Sequence, residues 1–80
     1  MTIEEAIKTA LNYESRIRDL YSTAARKTES PEGKRFFQML SNDEQNHFTY
    51  LQEKLDQWKQ SGTLTVTSLD SEIPPAANLI

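Results

Sequence analysis

Glu44 and His47 stand three residues apart in the run Glu44-Gln45-Asn46-His47. On a helix that spacing puts a carboxylate and an imidazole on one face, about one turn apart, where both can reach a single ion. Oxygen and imidazole donors together suit iron, manganese or zinc, whereas calcium is held by oxygen alone. Glu14 is the third candidate ligand, because like Glu44 and His47 it falls where an apolar stripe should continue. Burying a carboxylate without a counter-charge costs several kcal/mol, so three ionisable residues at core-facing slots call for a shared partner.

The elements that must position these residues follow from the apolar spacing. Ile3, Ile7 and Ala10, then Ile17, Tyr21 and Ala24, recur at alternating steps of four and three with position 14 skipped, which is the stripe of an amphipathic helix. Thr2 followed by Glu5 fits a capping box in which the hydroxyl takes the N3 amide and the carboxylate reaches back to the cap amide. The helix should run to Lys27 or Thr28, where Thr28-Glu29-Ser30-Pro31 breaks it. Ser30 is placed to cap a second helix with Pro31 at its first position. Its stripe is Phe37, Leu40, Leu51, Leu55 and Trp58, broadened by Phe36 and Phe48, with slots 44 and 47 lacking an aliphatic residue and Ser61-Gly62 as the stop. The expectation is an all-α, antiparallel αα-hairpin over 1–62. Phe36, Phe37, Phe48, Tyr50 and Trp58 are read as core and dimer interface.

With the turn near residues 29 and 30, Glu14 lies about 15 residues before it, and Glu44 and His47 about 15 and 18 after it. At 1.5 Å per residue all three sit about 22–27 Å from the turn, level with one another. One hairpin thus offers two carboxylates and one histidine. Two hairpins packed as a four-helix bundle offer four Glu and two His, the ligand set of a dinuclear carboxylate site: a Glu from each of two helices and Glu-x-x-His from each of the other two.

Composition narrows the classes further. Nine Lys and Arg against twelve Asp and Glu give a net charge of −3, without the gathered basic surplus of a nucleic-acid binder. With no cysteine, disulfides, thiolate zinc sites and iron–sulfur clusters are excluded. No window approaches the apolar length of a membrane span, and Met1-Thr2-Ile3-Glu4-Glu5 opens acidic rather than as a signal peptide, so the expected location is cytoplasmic. At 80 residues the core is small, and a metal or a second chain is the available source of added stability.

Residues 1–62 resemble the rubrerythrin and ferritin-like di-iron carboxylate superfamily. The resemblance runs through Ala10-Leu11-Asn12-Tyr13-Glu14, Tyr21, Phe37-x-x-Leu40 and Asp43-Glu44-Gln45-Asn46-His47. It implies a homodimer or larger even-numbered oligomer with a ferritin-like four-helix bundle. It also implies an intersubunit site of two irons per dimer, or of manganese or zinc, held by Glu14, Glu44 and His47. The activity implied is Fe(II) oxidation by O2 or reduction of hydrogen peroxide. Tyr21, seven residues after Glu14, stands where such proteins often place a tyrosine beside the metals, and the resemblance gives it a catalytic role. Typical rubrerythrins carry two hairpins and a cysteine-rich module in one chain, whereas this chain holds one hairpin and no cysteine. It is therefore similar to the N-terminal half of such a protein or to the encapsulated ferritins, and its electrons must come from an external donor.

Residues 63–80 differ in kind. Leu64 and Val66 alternate with threonines like a short strand, and Pro74-Pro75 forbids helix, so an extended C-terminal arm is expected. Leu64-Thr65-Val66-Thr67-Ser68-Leu69 is loosely similar to the tags that load cargo into encapsulin shells, which makes an iron-handling cargo protein one alternative. The other is a non-enzymatic dimerisation or adaptor hairpin in which the polar triad fixes register. Asp43 borders the triad, where it can face solvent or support a ligand from outside.

Overall fold

The computed structural model describes residues 1–65, which form two helices, α1 (Ile3–Lys27) and α2 (Pro31–Ser61), packed as an antiparallel hairpin. The described residues contain no strand. At 1.5 Å per residue α2 is about 46 Å long, close to the 47 Å long axis of the molecule. Among the described residues, no helix is long and apolar enough to cross a membrane.

Local chemistry explains where the helices start and stop. Thr2 is extended (φ −82°, ψ 165°) and its hydroxyl accepts the Glu5 amide at 3.1 Å. The Glu5 carboxylate answers the Thr2 hydroxyl at 3.2 Å, so the return contact of the capping box goes to the side chain and not to the cap amide. Thr28 ends α1 in an extended conformation, two residues before Ser30 opens α2 by accepting the Gly33 amide at 3.1 Å, with Pro31 in the first turn. The turn is tight: a Cβ on Gly33 would meet the Thr28 hydroxyl at 3.0 Å. Lys34 reaches back to donate to the Ala25 carbonyl at 3.3 Å, tying the first turn of α2 to the last of α1. Gly62 closes α2 in the left-handed region (φ 67°), a conformation that a side chain disfavours.

The core is narrower than the apolar spacing predicts. Leu11, Ala25, Leu40 and Leu55 are buried, together with Ser41 and Glu44. Ile7, Ala10, Ile17, Tyr21 and Ala24 are only half-buried, and Ile3 is exposed. The difference is geometric: one neighbouring helix covers only part of a wide stripe, so the line of deepest burial shifts toward α2 and falls on Leu11 and Ala25. Residues 63–65 carry no regular structure. Thr65 donates its amide to Gln57 Oε1 at 3.1 Å and accepts from the Lys54 ammonium at 3.1 Å, which turns the chain back against the end of α2. The remainder of the expected arm, including the tag-like Val66–Leu69 and Pro74-Pro75, lies outside the described residues.

Replacing Ser30 by Ala should lower stability by about 1 kcal/mol, measured as a fall in the thermal midpoint. An unchanged midpoint would mean that the hydroxyl does not secure the start of α2.

Candidate metal centre

Ser15 and Asn46 are the midpoints of the two helices, so Glu14, Glu44 and His47 sit at mid-height, away from the ends that fray. The structure brings these three sequence-predicted residues together: one donor atom from each lies within 4.8 Å of the others. His47 Nδ1 is 3.4 Å from Glu44 Oε2 and 3.7 Å from Glu14 Oε2. These separations are too long for hydrogen bonds. They are close to the roughly 3.0–3.4 Å that donors keep around a shared ion when each is about 2.1 Å from it.

Burial makes the cluster unusual. The Glu44 side chain is 2 % exposed, that of His47 11 % and that of Glu14 17 %. Glu14 Oε2 and Glu44 Oε2 are each buried without a hydrogen-bond partner. Arg18, one turn after Glu14, is at the spacing for an ion pair with it. Its guanidinium instead donates to Gln45 Oε1 at 2.8 Å and pairs with the Asp19 carboxylate at 3.1 Å. Two buried carboxylate oxygens without a hydrogen bond, converging with an imidazole nitrogen, fit a divalent cation, whose charge would offset their desolvation.

The second imidazole nitrogen defines a fourth residue. His47 Nε2 lies 3.5 Å from Asp43 Oδ2, whose side chain is 12 % exposed. A carboxylate on that side is placed where the outer partner of a metal-binding histidine stands, outside the ligand shell. Of the two positions open to Asp43 in the sequence, it takes the one that faces His47 rather than solvent. The i, i+4 spacing of Asp43 and His47 was the available signal. Tyr21 is half-buried on the Glu14 face of α1, about two turns or 10 Å further along the helix, and it is not part of the cluster.

The two sides of the triad differ. Counting about 100° per residue from Glu14, Ile17, Tyr13 and Leu20 lie to one side and Arg18 and Leu11 to the other, where α2 packs. Counting likewise from Glu44, His47, Phe36, Tyr50 and Met39 lie to one side, and Phe48 and Ser41 to the other, where α1 packs. In an antiparallel pair the two uncovered flanks share one side of the hairpin. That side is apolar yet open: Leu20 is 59 % exposed, Phe36 52 %, Met39 48 % and Tyr13 38 %.

No family model, no curated protein and no solved structure matches this chain. Its functional assignment therefore rests on the geometry of these side chains.

Two substitutions separate ligand from structural roles. Asp43→Asn should weaken divalent-metal binding about 10–100-fold in a calorimetric titration while helix content stays constant. Glu44→Leu should raise the stability of the metal-free protein by about 1–3 kcal/mol in urea denaturation. A loss of stability there would mean that the carboxylate is satisfied as it stands.

Proposed function

We propose that this chain is a ferritin-like metal-binding protein. In it two hairpins form a four-helix bundle around an intersubunit dinuclear centre that oxidises Fe(II) with O2 or reduces hydrogen peroxide. The observation that carries it is the pair of orphaned carboxylate oxygens facing His47 Nδ1 at mid-helix. A register-fixing role for the triad would favour polar groups that hydrogen-bond one another, whereas these two oxygens have no hydrogen-bond partner.

The second copy is supported by the open apolar flank. Monomeric proteins seldom expose contiguous apolar surface of this kind, and here Tyr13, Leu20, Phe36 and Met39 share the side on which the triad borders. A two-fold related hairpin covering that flank would bring its own Glu14, Glu44 and His47 to the same level. The resulting set is four carboxylates and two imidazoles, which is the composition of a dinuclear carboxylate site.

In this centre Glu14 and Glu44 serve as oxygen ligands, terminal or bridging, and His47 as a nitrogen ligand through Nδ1. Asp43 holds the His47 ring and its proton in place. The apolar flank excludes water from the carboxylates once it is covered. Two Fe(II) ions supply one electron each, the two that reduction of O2 to peroxide or of hydrogen peroxide to water consumes. The chain has no cysteine to hold an electron-transfer centre of its own, so re-reduction falls to an external donor. Tyr21, on the Glu14 face of α1, is the candidate to hand on a proton or an electron. Iron is the metal for this chemistry, and manganese or zinc would occupy the same donors without the same turnover.

Anaerobic Fe(II) loading followed by O2 or hydrogen peroxide should give rapid iron oxidation by the wild type and only the background rate with Glu44→Ala. Leu20→Asp, which leaves every ligand intact, should break the dimer and lower the rate with it. Equal oxidation by wild type and Glu44→Ala would overturn the proposal.

A further inference from the structure

We infer that Arg18 and Gln45 form a clasp that closes the metal centre on its outer side and sets how fast metal enters and leaves. This rests on the dinuclear reading above. On the flank opposite the apolar face, Arg18 crosses from α1 to α2. Its Nη1 donates to Gln45 Oε1 at 2.8 Å, its guanidinium carbon lies 5.3 Å from the centre of the Phe48 ring, and its Nε donates to Asp19 Oδ1 at 3.1 Å. The backbone is pinned at the same place, where the buried Ser41 hydroxyl donates to the Arg18 carbonyl at 3.1 Å.

The clasp is at the height of the site. Arg18 is one turn beyond Glu14, Gln45 adjoins Glu44, and Phe48 adjoins His47. Once a second copy covers the apolar flank, the seam between α1 and α2 is the approach to the triad that remains, and the Arg18 side chain, 26 % exposed, lies over that seam. Arg18 is a positioning residue rather than a ligand. A guanidinium carries a permanent positive charge and has no lone pair to offer a cation. A divalent ion approaching Glu14 and Glu44 from this side meets both that charge and the bulk of the side chain, and an ion leaving meets the same barrier. Because the clasp touches neither carboxylate oxygen of the triad, opening it should raise both exchange rates together and leave the equilibrium affinity nearly unchanged.

Gln45 is exposed, and Ala in its place favours helix, so Gln45→Ala frees the guanidinium without threatening the fold. Arg18→Gln removes the charge as well. The test uses the full chain loaded with Co(II) and follows loss of the Co(II) absorption after excess chelator is added, alongside equilibrium titrations. Both variants should release Co(II) about tenfold faster than the wild type, with dissociation constants within about threefold of it and the same oligomeric mass. Unchanged release in both variants overturns the clasp. Acceleration by Arg18→Gln alone also overturns it, since charge without closure would then suffice. A dissociation constant that weakens in step with the release rate overturns it too, by making Arg18 a determinant of affinity. Failure of the wild type itself to bind Co(II) would instead overturn the dinuclear reading on which the clasp depends.

Discussion

Two carboxylate oxygens, Glu14 Oε2 and Glu44 Oε2, are buried at the middle of a two-helix hairpin without a hydrogen-bond donor, and His47 Nδ1 faces both. An ionised carboxylate withdrawn from water must be compensated by charge or by hydrogen bonds. Here the cation at helical ion-pair spacing from Glu14 is turned to the Gln45 amide and the Asp19 carboxylate instead. The deficit is built into the fold, since both glutamates occupy slots that an aliphatic residue would otherwise fill, enlarging a core that among the described residues holds four buried apolar side chains. Stability given up at the centre of the hairpin is what a bound cation and a second chain would restore.

The rest of the molecule is arranged around that centre. The tight turn and the paired caps fix the register of the two helices, and register is what brings residue 14 level with residues 44 and 47. A slip of α2 by one residue would rotate Glu44 and His47 together by about 100° and carry both out of reach of Glu14. Asp43 adds a second constraint by holding the far side of the His47 ring. On the proposed reading the two flanks divide the work, the apolar one offering a surface for another copy and the polar one closing over the site through Arg18 and Gln45.

Much of this was legible in the residues themselves. Thr2, Ser30-Pro31 and Gly62 mark helix ends through local hydrogen bonding and backbone preference, which act over three or four residues and need no tertiary context. The shared level of Glu14, Glu44 and His47 followed from counting residues outward from the turn at a fixed rise per residue. What was not legible depends on contacts between the helices. The shift of deepest burial from Ile7 and Ile17 to Leu11 and Ala25 reflects the direction in which α2 sits, and spacing along α1 cannot specify that. Arg18 reads as one more surface charge until its partner across the hairpin is known. Asp43 left two roles open because an i, i+4 pair on a helix meets only when both side chains lean the same way.

Mass spectrometry of the intact, natively folded protein titrated with Fe(II) under anaerobic conditions tests the central claim most directly, because it reads assembly and metal content in one spectrum. A species of twice the 9.2 kDa chain mass that takes up two iron ions, with none retained when Glu14 or Glu44 is replaced by Ala, is the result predicted. A metal-free dimer, or a monomer that holds iron as tightly as the dimer does, would contradict it.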